Sequence, residues 1–333
     1  MAQRPDLDEF AIIARYFAPL AAKAPGAFGL TDDAALLDLD PGHELVVTTD
    51  GMVEGVHFLP QAPPEDVAPK LLRVNLSDLA AMGATARAYT LAAAFAKDVA
   101  LAWIEGFAAA LGRDQETFGV TLIGGDTTAT PGPMTFTVTA FGTVPKGRTL
   151  RRSGARVGDL VCVSGTVGDG ALGLLALRGQ LPKLAPSYVQ ALVERYHRPT
   201  PRLALGVRLV GLAHAAIDVS DGLVADLGHV ATASRVDVEI EWAKVPLSAA
   251  ARAAVDADPA LRTRVVGGGD DYELVFTADP ASAAQLARLA QELDLPLTAI
   301  GRVLPIQSAA PEVRVRDSDG RTLALDVPGY RHF

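Results

Sequence analysis

Over residues 8–22, in the run Asp-Glu-Phe-Ala-Ile-Ile-Ala-Arg-Tyr-Phe and its continuation, apolar side chains recur at helical spacing until Pro25-Gly26 ends the segment. The pattern predicts an N-terminal helix. Two short apolar runs follow, Ala34–Leu37 and Leu45–Thr49, each beside acidic residues, and they read as paired strands with Asp50 where the second ends. From Val67 to Met82 the spacing of Leu71, Val74 and Leu79 predicts a helix stopped by Gly83, with Asn75 and Asp78 three positions apart on one face. Leu91–Phe95 then reads as a strand, Leu101–Leu111 as a helix, and Val120–Ile123 as a strand ending in Gly124-Gly125-Asp126. Met134 to Ala140 alternates with the period of a strand and sets its threonines on one face.

A change in composition divides the chain. Lys146 to Arg156 is a basic, glycine-containing connector carrying Arg148, Arg151, Arg152 and Arg156, and a new strand-like run, Leu160–Val163, begins after it. Two domains are expected, 1–150 and 151–333. The second half shows helical spacing at Ala171–Leu177, Tyr188–Arg195, Arg202–Leu212, Leu223–Ala233 and Ala281–Leu293, with strands near Ala215–Ile217, Val236–Ile240, Tyr272–Phe276 and Val313–Val315. There is no short-period repeat. Strands come in clusters as well as in alternation with helices, which predicts α+β domains in place of a simple doubly wound sheet.

Composition narrows the classes further. A 333-residue chain with 49% hydrophobic and 21% charged residues can bury a large core, which excludes a disordered or low-complexity protein. The longest uncharged stretch, Thr127–Pro145, is broken by Pro131 and Pro133 and is unlike a membrane helix. The N-terminus lacks the apolar core of a signal peptide, and a single cysteine, Cys162, permits neither an internal disulfide nor a cysteine metal cluster. These features point to the cytoplasm. With 30 Lys plus Arg against 39 Asp plus Glu, a net charge of −9 argues against a broad nucleic-acid-binding face. An anionic ligand would need local arginines, or divalent cations held by clustered carboxylates.

Familiar motifs are weak or absent. Gly168-Asp-Gly170-Ala-Leu-Gly173 matches G-x-G-x-x-G, but the position about 20 residues on, where a dinucleotide fold needs an acid after a second strand, falls in the helical stretch Tyr188–Arg195. It reads as a glycine-rich strand-to-helix turn. No Walker-type G-x-x-x-x-G-K-[ST] occurs. Val219-Ser220-Asp221-Gly222 lacks the first glycine of a nucleophile elbow, Asp218 standing in its place. The six histidines are scattered and give zinc no motif, although His57, in the loop that follows Asp50, stands out.

Acids beside glycines or at strand ends carry more information: Asp32-Asp33, Asp50, Asp78, Asp126, Asp218, Asp221 and Asp270-Asp271. Any one of them alone is most simply a solvated surface charge. Several, however, sit inside or directly after apolar runs, as in Leu-Ile-Gly-Gly-Asp126 and Ala-Ile-Asp218-Val-Ser-Asp221, where a carboxylate needs a cation or hydrogen-bond donors. Converging oxygen ligands of this kind suit Mg²⁺ held between carboxylates and phosphates.

The segments Phe-Gly-Leu-Thr-Asp-Asp-Ala-Ala-Leu-Leu (28–37), Thr-Thr-Asp-Gly-Met-Val-Glu-Gly-Val-His-Phe (48–58), Asn-Leu-Ser-Asp-Leu-Ala-Ala-Met-Gly-Ala (75–84), Ile-Gly-Gly-Asp-Thr-Thr (123–128), Arg-Ser-Gly-Ala (152–155), Ile-Asp-Val-Ser-Asp-Gly-Leu (217–223), Gly-Gly-Asp-Asp-Tyr-Glu-Leu (268–274) and Gly-Tyr-Arg-His-Phe (329–333) occur in order along nearly the whole chain. Together they resemble the thiamine-monophosphate kinase family. The resemblance implies a homodimer with the aminoimidazole-ribonucleotide-synthetase fold, in which an N-terminal α/β domain forms a β-barrel shared across the dimer and an α/β C-terminal domain closes over the nucleotide. It implies ATP-dependent phosphorylation of thiamine monophosphate by direct in-line transfer. Mg²⁺ ligands are implied at Asp33, Thr48, Thr49, Asp50, Asp78, Asp126, Asp218 and Asp221, ATP contacts at Gly125, Asp126, Arg152 and Ser220, and substrate contacts at His57, Asp270 and Tyr330. Asp126, Arg152 and Asp221 are the implied catalytic residues.

Two positions depart from the family pattern. Thr31 stands where a glycine is usual in Gly-Ile-Gly-Asp-Asp, and Asp270 stands where a glutamate is usual in Gly-Glu-Asp-Tyr-Glu, keeping the charge but shortening the reach. Related families share the phosphate chemistry. Selenophosphate synthetases need a reactive cysteine or selenocysteine near the N-terminus and the hydrogenase-maturation relatives a C-terminal cysteine, neither of which this chain has. Aminoimidazole-ribonucleotide synthetase, and a non-catalytic Mg²⁺-nucleotide-binding protein on the same scaffold, are the alternatives.

Overall fold

Strand β1 (His43–Val53) is eleven residues long and runs straight through Asp50, which the apolar pattern placed at a strand end. It belongs to a computed structural model that describes residues 9–325 and 329–330; residue 8 of the first predicted helix and residues 331–333 of the Arg-His-Phe ending lie outside the described residues. The chain divides into two compact units, Met1–Leu79 with Ala84–Gly147, and Ala80–Gly83 with Arg148–Phe333.

In the first unit the predicted N-terminal helix is helical but not one α-helix. α1 (Glu9–Ile12) passes into a π-helical turn (Ile13–Phe17) and a 3₁₀ turn (Ala18–Ala21). Pro19, which has no N–H to donate backwards, explains why the α pattern cannot continue. The predicted strand Ala34–Leu37 is irregular backbone, with the Leu36 N–H donating to the Gly26 carbonyl at 2.8 Å. α2 (Pro64–Ala81), β2 (Thr85–Ala96), α3 (Leu101–Phe118), β3 (Thr121–Thr130) and β4 (Thr135–Pro145) complete the unit. The four strands lie in the order β1-β4-β2-β3, all antiparallel except the β2–β3 pair, which α3 connects as a crossover.

The alternation in β4 is as the sequence predicts. Phe136, Val138 and Ala140 are fully buried, while Thr135, Thr137 and Thr139 face the other way, half-buried. Phe136 stacks on Phe107 of α3 with ring centroids 4.8 Å apart, and Phe95 and Trp103 close the same cluster. Polar groups inside this core are paired. The Tyr89 hydroxyl and the Leu122 N–H donate to the Gln115 side-chain oxygen, whose amide donates to the Leu20 carbonyl. Burial pushes the Tyr89 hydroxyl far above its usual range. Arg73 of α2 donates twice to Asp114 of α3, at 2.7 and 2.8 Å.

The second unit is built from β5 (Leu160–Ser164), α4 (Asp169–Leu177), α5 (Pro186–His197), α6 (Leu203–Leu209), β6 (Ala213–Asp218), α7 (Leu223–Ser234), β7 (Asp237–Glu241), α8 (Ala249–Ala257), α9 (Leu261–Gly267), β8 (Leu274–Ala278), α10 (Ala283–Glu292), β9 (Leu297–Leu304) and β10 (Val313–Arg316). Its six strands run in the order β10-β7-β9-β5-β8-β6, parallel only between β10 and β7. Both faces of the sheet are covered. Val161 and Val163 of β5 join a core with Ile217, Leu223 and Leu227, whereas Cys162 between them joins Phe276, Leu205, Leu209 and Leu286. Burial pushes the Cys162 thiol up to about 12. The mixed sheets give the α+β class expected from the strand clusters.

Removing Asp114 takes two charge-assisted hydrogen bonds from the largely buried Arg73. Asp114→Ala is expected to cost about 3–5 kcal/mol of stability, read as a fall in Tm, and Arg73→Met in the same chain to recover much of the loss. An unchanged Tm in Asp114→Ala would show that solvent replaces the pair.

Candidate active site

In the first unit, β1 and α2 place four polar residues together. The Thr48 hydroxyl donates to an Asp78 oxygen, and the Asp50 N–H donates to the Asn75 side-chain oxygen at 2.9 Å. Asn75 and Asp78 reach β1 because they share one helix face, and Asn75 is fixed in turn by donating to the Leu71 carbonyl. Thr49, the next residue on the strand, faces the opposite way and donates to the Val138 carbonyl at 3.0 Å. His57 folds back on β1, its Nδ1 accepting from the Val53 N–H at 3.0 Å, so in the neutral ring the proton sits on Nε2.

On the far edge of the same sheet, Gly125 and Asp126 lie inside β3, which continues past the point where the sequence reading ended it. Gly125 tolerates no side chain, because a Cβ there would stand 1.9 Å from the Leu91 carbonyl oxygen. Asp33 and Asp126 line one cavity of about 430 Å³ with Asp32, Leu45, Leu91 and Phe141. Its lining is mostly apolar, with the exposed carboxyl groups of Asp32, Asp33 and Asp126 among it. Pairing across the sheet runs Asp50 to Val138, Val138 to Leu91 and Leu91 to Gly125, so the β1 and β3 acids are separated by three strand spacings, about 14 Å.

In the second unit three loops are tied together. Val219 donates to the Glu273 carbonyl, Tyr272 to that of Val219, Asp270 to that of Ser220, and Tyr330 to that of Asp221, all at 2.8–3.0 Å. Ser220, Asp221, Asp270 and Tyr330 are thereby brought to one place. Asp218 is buried at the end of β6. Asp270 and Tyr272 both adopt left-handed backbone, at φ 71° and 53°, a conformation rare for side-chain-bearing residues. Close approach is obligatory at Gly269, whose Cβ would meet the Ser220 carbonyl oxygen at 2.0 Å.

Residues the sequence reading left unassigned hold these loops. Asp271, 1% exposed, accepts from the Gly168 and Gly170 N–H groups at 2.6 and 2.9 Å. Burial drives its carboxyl well above the usual carboxylate range, and the two N–H groups oppose that. Glu273, with no exposed surface, accepts from Arg195, Arg202 and the Ser164 hydroxyl. Asp226, in the first turn of α7, accepts from the Asp221 and Gly222 N–H groups. Burial first, and the Asp221 charge second, push Asp226 up to about 7. Donor atoms of Asp221, Asp226 and His229 lie within 4.8 Å of one another. Arg152 is exposed on the connector, and its guanidinium makes no ion pair among the described residues.

Residues 31–144 match the AIR synthase related protein N-terminal domain, and residues 156–313 match the C-terminal domain of the same group. The thiamine-monophosphate kinase of Escherichia coli K12 is 41% identical over 98% of both chains. The chain belongs to the thiamine-monophosphate kinase family. The family's crystal structure from Stenotrophomonas maltophilia K279a is 44% identical, covering 88% of this chain and 91% of that one at a TM-score of 0.79. The solved complex of AaThiL with AMPPCP and TMP is 31% identical, covering 100% and 99% of the two chains at a TM-score of 0.76.

Within this thiamine-monophosphate kinase family member, the signals for the missed residues were local. Asp271 and Glu273 flank Tyr272 in the same motif as Asp270, and Asp226 follows Gly222 by four positions, where a first-turn acid meets free N–H groups. Asp271→Asn turns an amide NH₂ toward a glycine N–H. A loss of about 1–3 kcal/mol is expected, seen as a lower Tm, and a wild-type Tm would show that the two glycine N–H bonds add nothing to stability.

Proposed function

We propose that this chain transfers the γ-phosphoryl group of ATP to the phosphate of thiamine monophosphate, giving thiamine diphosphate. The supporting observation is the end-to-end likeness to the complex holding AMPPCP and TMP, with the family's acidic motifs in place. Phosphoryl transfer asks the protein chiefly for alignment and for neutralisation of charge. Carboxylates repel phosphates, so Asp33, Thr48, Thr49, Asp50, Asp78, Asp126, Asp218 and Asp221 are assigned to Mg²⁺. Their hard oxygen donors, of which Thr48 and Asp78 are already in contact, fit that ion. Bound Mg²⁺ would supply charge neutralisation on the phosphates.

Gly125 gives the backbone close access beside Asp126, and Arg152 and Ser220 complete the ATP contacts. His57, Asp270 and Tyr330 are assigned to thiamine monophosphate. Asp126, Arg152 and Asp221 act on the reacting phosphates. The first unit, in this reading, supplies metal ligands and dimerisation, and the second supplies Arg152 and the substrate loops. Transfer is direct and in line: Ser220 lies between acids, Cys162 is buried as a neutral thiol, and the acceptor phosphate needs positioning more than deprotonation. The reaction belongs to the cytoplasm, where ATP is available; no helix among the described residues is long and apolar enough to cross a membrane.

The open sheet supports a homodimer. β1 and β3 are both edges, β1 exposes Leu45 and Val47, and long open edges are normally covered. In one copy Asp50 and Asp126 are too far apart to share an ion. Two four-stranded sheets closing into a barrel, with the β1 edge of one beside the β3 edge of the other, would join them.

Incubation with ATP, Mg²⁺ and thiamine monophosphate is expected to yield ADP and thiamine diphosphate; nucleotide binding without turnover would leave a regulatory protein. Asp50→Asn and Asp126→Asn are each expected to lose activity by orders of magnitude. When the two inactive proteins are unfolded together and refolded as mixed dimers, one intact site per mixed dimer should restore about a quarter of the wild-type rate. No recovery, with mixed dimers shown by mass, would place Asp50 and Asp126 of each site in one subunit.

A further inference from the structure

The Arg152 segment is held by a residue that no functional assignment has touched. Ser234 is the last residue of α7, and its hydroxyl accepts from the Gly154 and Ala155 N–H groups, both at 3.1 Å, and points at the Arg152 carbonyl at 3.3 Å. A serine hydroxyl has one proton to donate and two lone pairs to accept with. All three are directed at a single turn. A serine near a helix end ordinarily bonds back to its own helix, to a carbonyl three or four residues earlier. Here the hydroxyl is turned outward, and α7 is closed instead by the left-handed Arg235, whose N–H donates to the Ala231 and Thr232 carbonyls.

The flanks of the turn are fixed independently. On one side the Arg151 carbonyl accepts from the Ala216 N–H of β6 at 2.9 Å. On the other, Gly154 holds φ 125° and passes so close to β6 that a Cβ would lie 2.4 Å from the His214 carbonyl oxygen. Between these anchors, among the described residues, the side-chain hydrogen bonds to the Arg152 carbonyl and to the Gly154 and Ala155 N–H groups come from Ser234. The Arg152 side chain itself is exposed and makes no ion pair among the described residues, so what the turn fixes is the point and direction at which that side chain leaves the backbone.

We propose that Ser234 is a positioning residue for Arg152, clamping the Arg152–Ala155 turn so that the guanidinium is presented to the ATP phosphates. The inference rests on the reading that Arg152 meets ATP. α7 then serves nucleotide binding from both ends, with Asp226 fixing Asp221 and Gly222 at its start and Ser234 fixing the arginine turn at its finish.

Ser234→Ala, Ser234→Thr, Arg152→Ala and the Ser234→Ala/Arg152→Ala double variant are compared with wild type for Tm, for KM and kcat with each substrate, and for AMPPCP affinity by calorimetry. Ser234→Ala is expected to weaken AMPPCP binding and raise the KM for ATP by about tenfold, with Tm and the KM for thiamine monophosphate close to wild type. Ser234→Thr, which keeps the hydroxyl, should recover most of the loss. In the Arg152→Ala background the serine change should add nothing further. Wild-type nucleotide affinity in Ser234→Ala while Arg152→Ala is impaired would overturn the clamp alone. Wild-type affinity in Arg152→Ala would remove the role of Arg152 itself. A Ser234→Ala loss that appears equally for both substrates with a lowered Tm, or that persists undiminished without Arg152, would make Ser234 structural and overturn the proposal.

Discussion

Burying a carboxyl group is costly unless hydrogen-bond donors surround it, and the second unit buries two of them, Asp271 and Glu273, on either side of Tyr272. Asp271 and Glu273 draw their donors from four separate stretches of chain: the Gly168–Gly170 turn, Ser164 at the end of β5, Arg195 in α5, and Arg202 just before α6. Each donor must come to the acids, because the acids cannot go to solvent. The half-buried neighbours alternate with these acids along the chain. Asp270 and Tyr272 take left-handed backbone, and the loop they form is bonded to Ser220 and Val219. The loop assigned to substrate thus rests on buried carboxyl groups within its own sequence.

The same division of labour explains how much of the site was legible. Residues whose chemistry faces outward announced themselves as acids beside glycines: Asp126 after Gly-Gly, Asp221 before Gly222, Asp270 after Gly269. Those that face inward looked the same in sequence but carried no separate signal. Asp271 could not be told from Asp270, although one is buried under two N–H groups and the other is in the left-handed turn above it. Ser234 was invisible, since its partners lie about 80 positions away. The chain periodicity was most informative where one face is buried and the other is not, as in β4, and least where composition is uniform. α8, whose buried face is mostly alanine, and β9, interrupted by Gly301 and Arg302, were not singled out. Apolar runs located strands but not their ends, because β1 and β3 continue through polar residues that the ladder, not burial, keeps extended.

In the first unit the governing quantity is a distance. Strand spacing is set by backbone hydrogen bonds and does not adjust to the needs of a ligand. An acid on β1 and an acid on β3 therefore stay apart whatever their charge. The helix face bearing Asn75 and Asp78 meets β1 at Thr48 and Asp50, whereas the cavity containing Asp33 and Asp126 is lined from all four strands, Leu45 of β1 and Phe141 of β4 included.

Cys162 lies in the middle strand pair of the second sheet, packed among Phe276, Leu205 and Leu286, with its thiol held protonated far above neutral pH. A thiol that is neither ionised nor reachable does not attack disulfides, peroxides or alkylating reagents. Among the chain's 333 residues there is no other cysteine. The folded protein therefore offers maleimides no accessible thiol, and a cysteine introduced on a surface loop becomes its single reactive thiol for a spin label or a fluorophore.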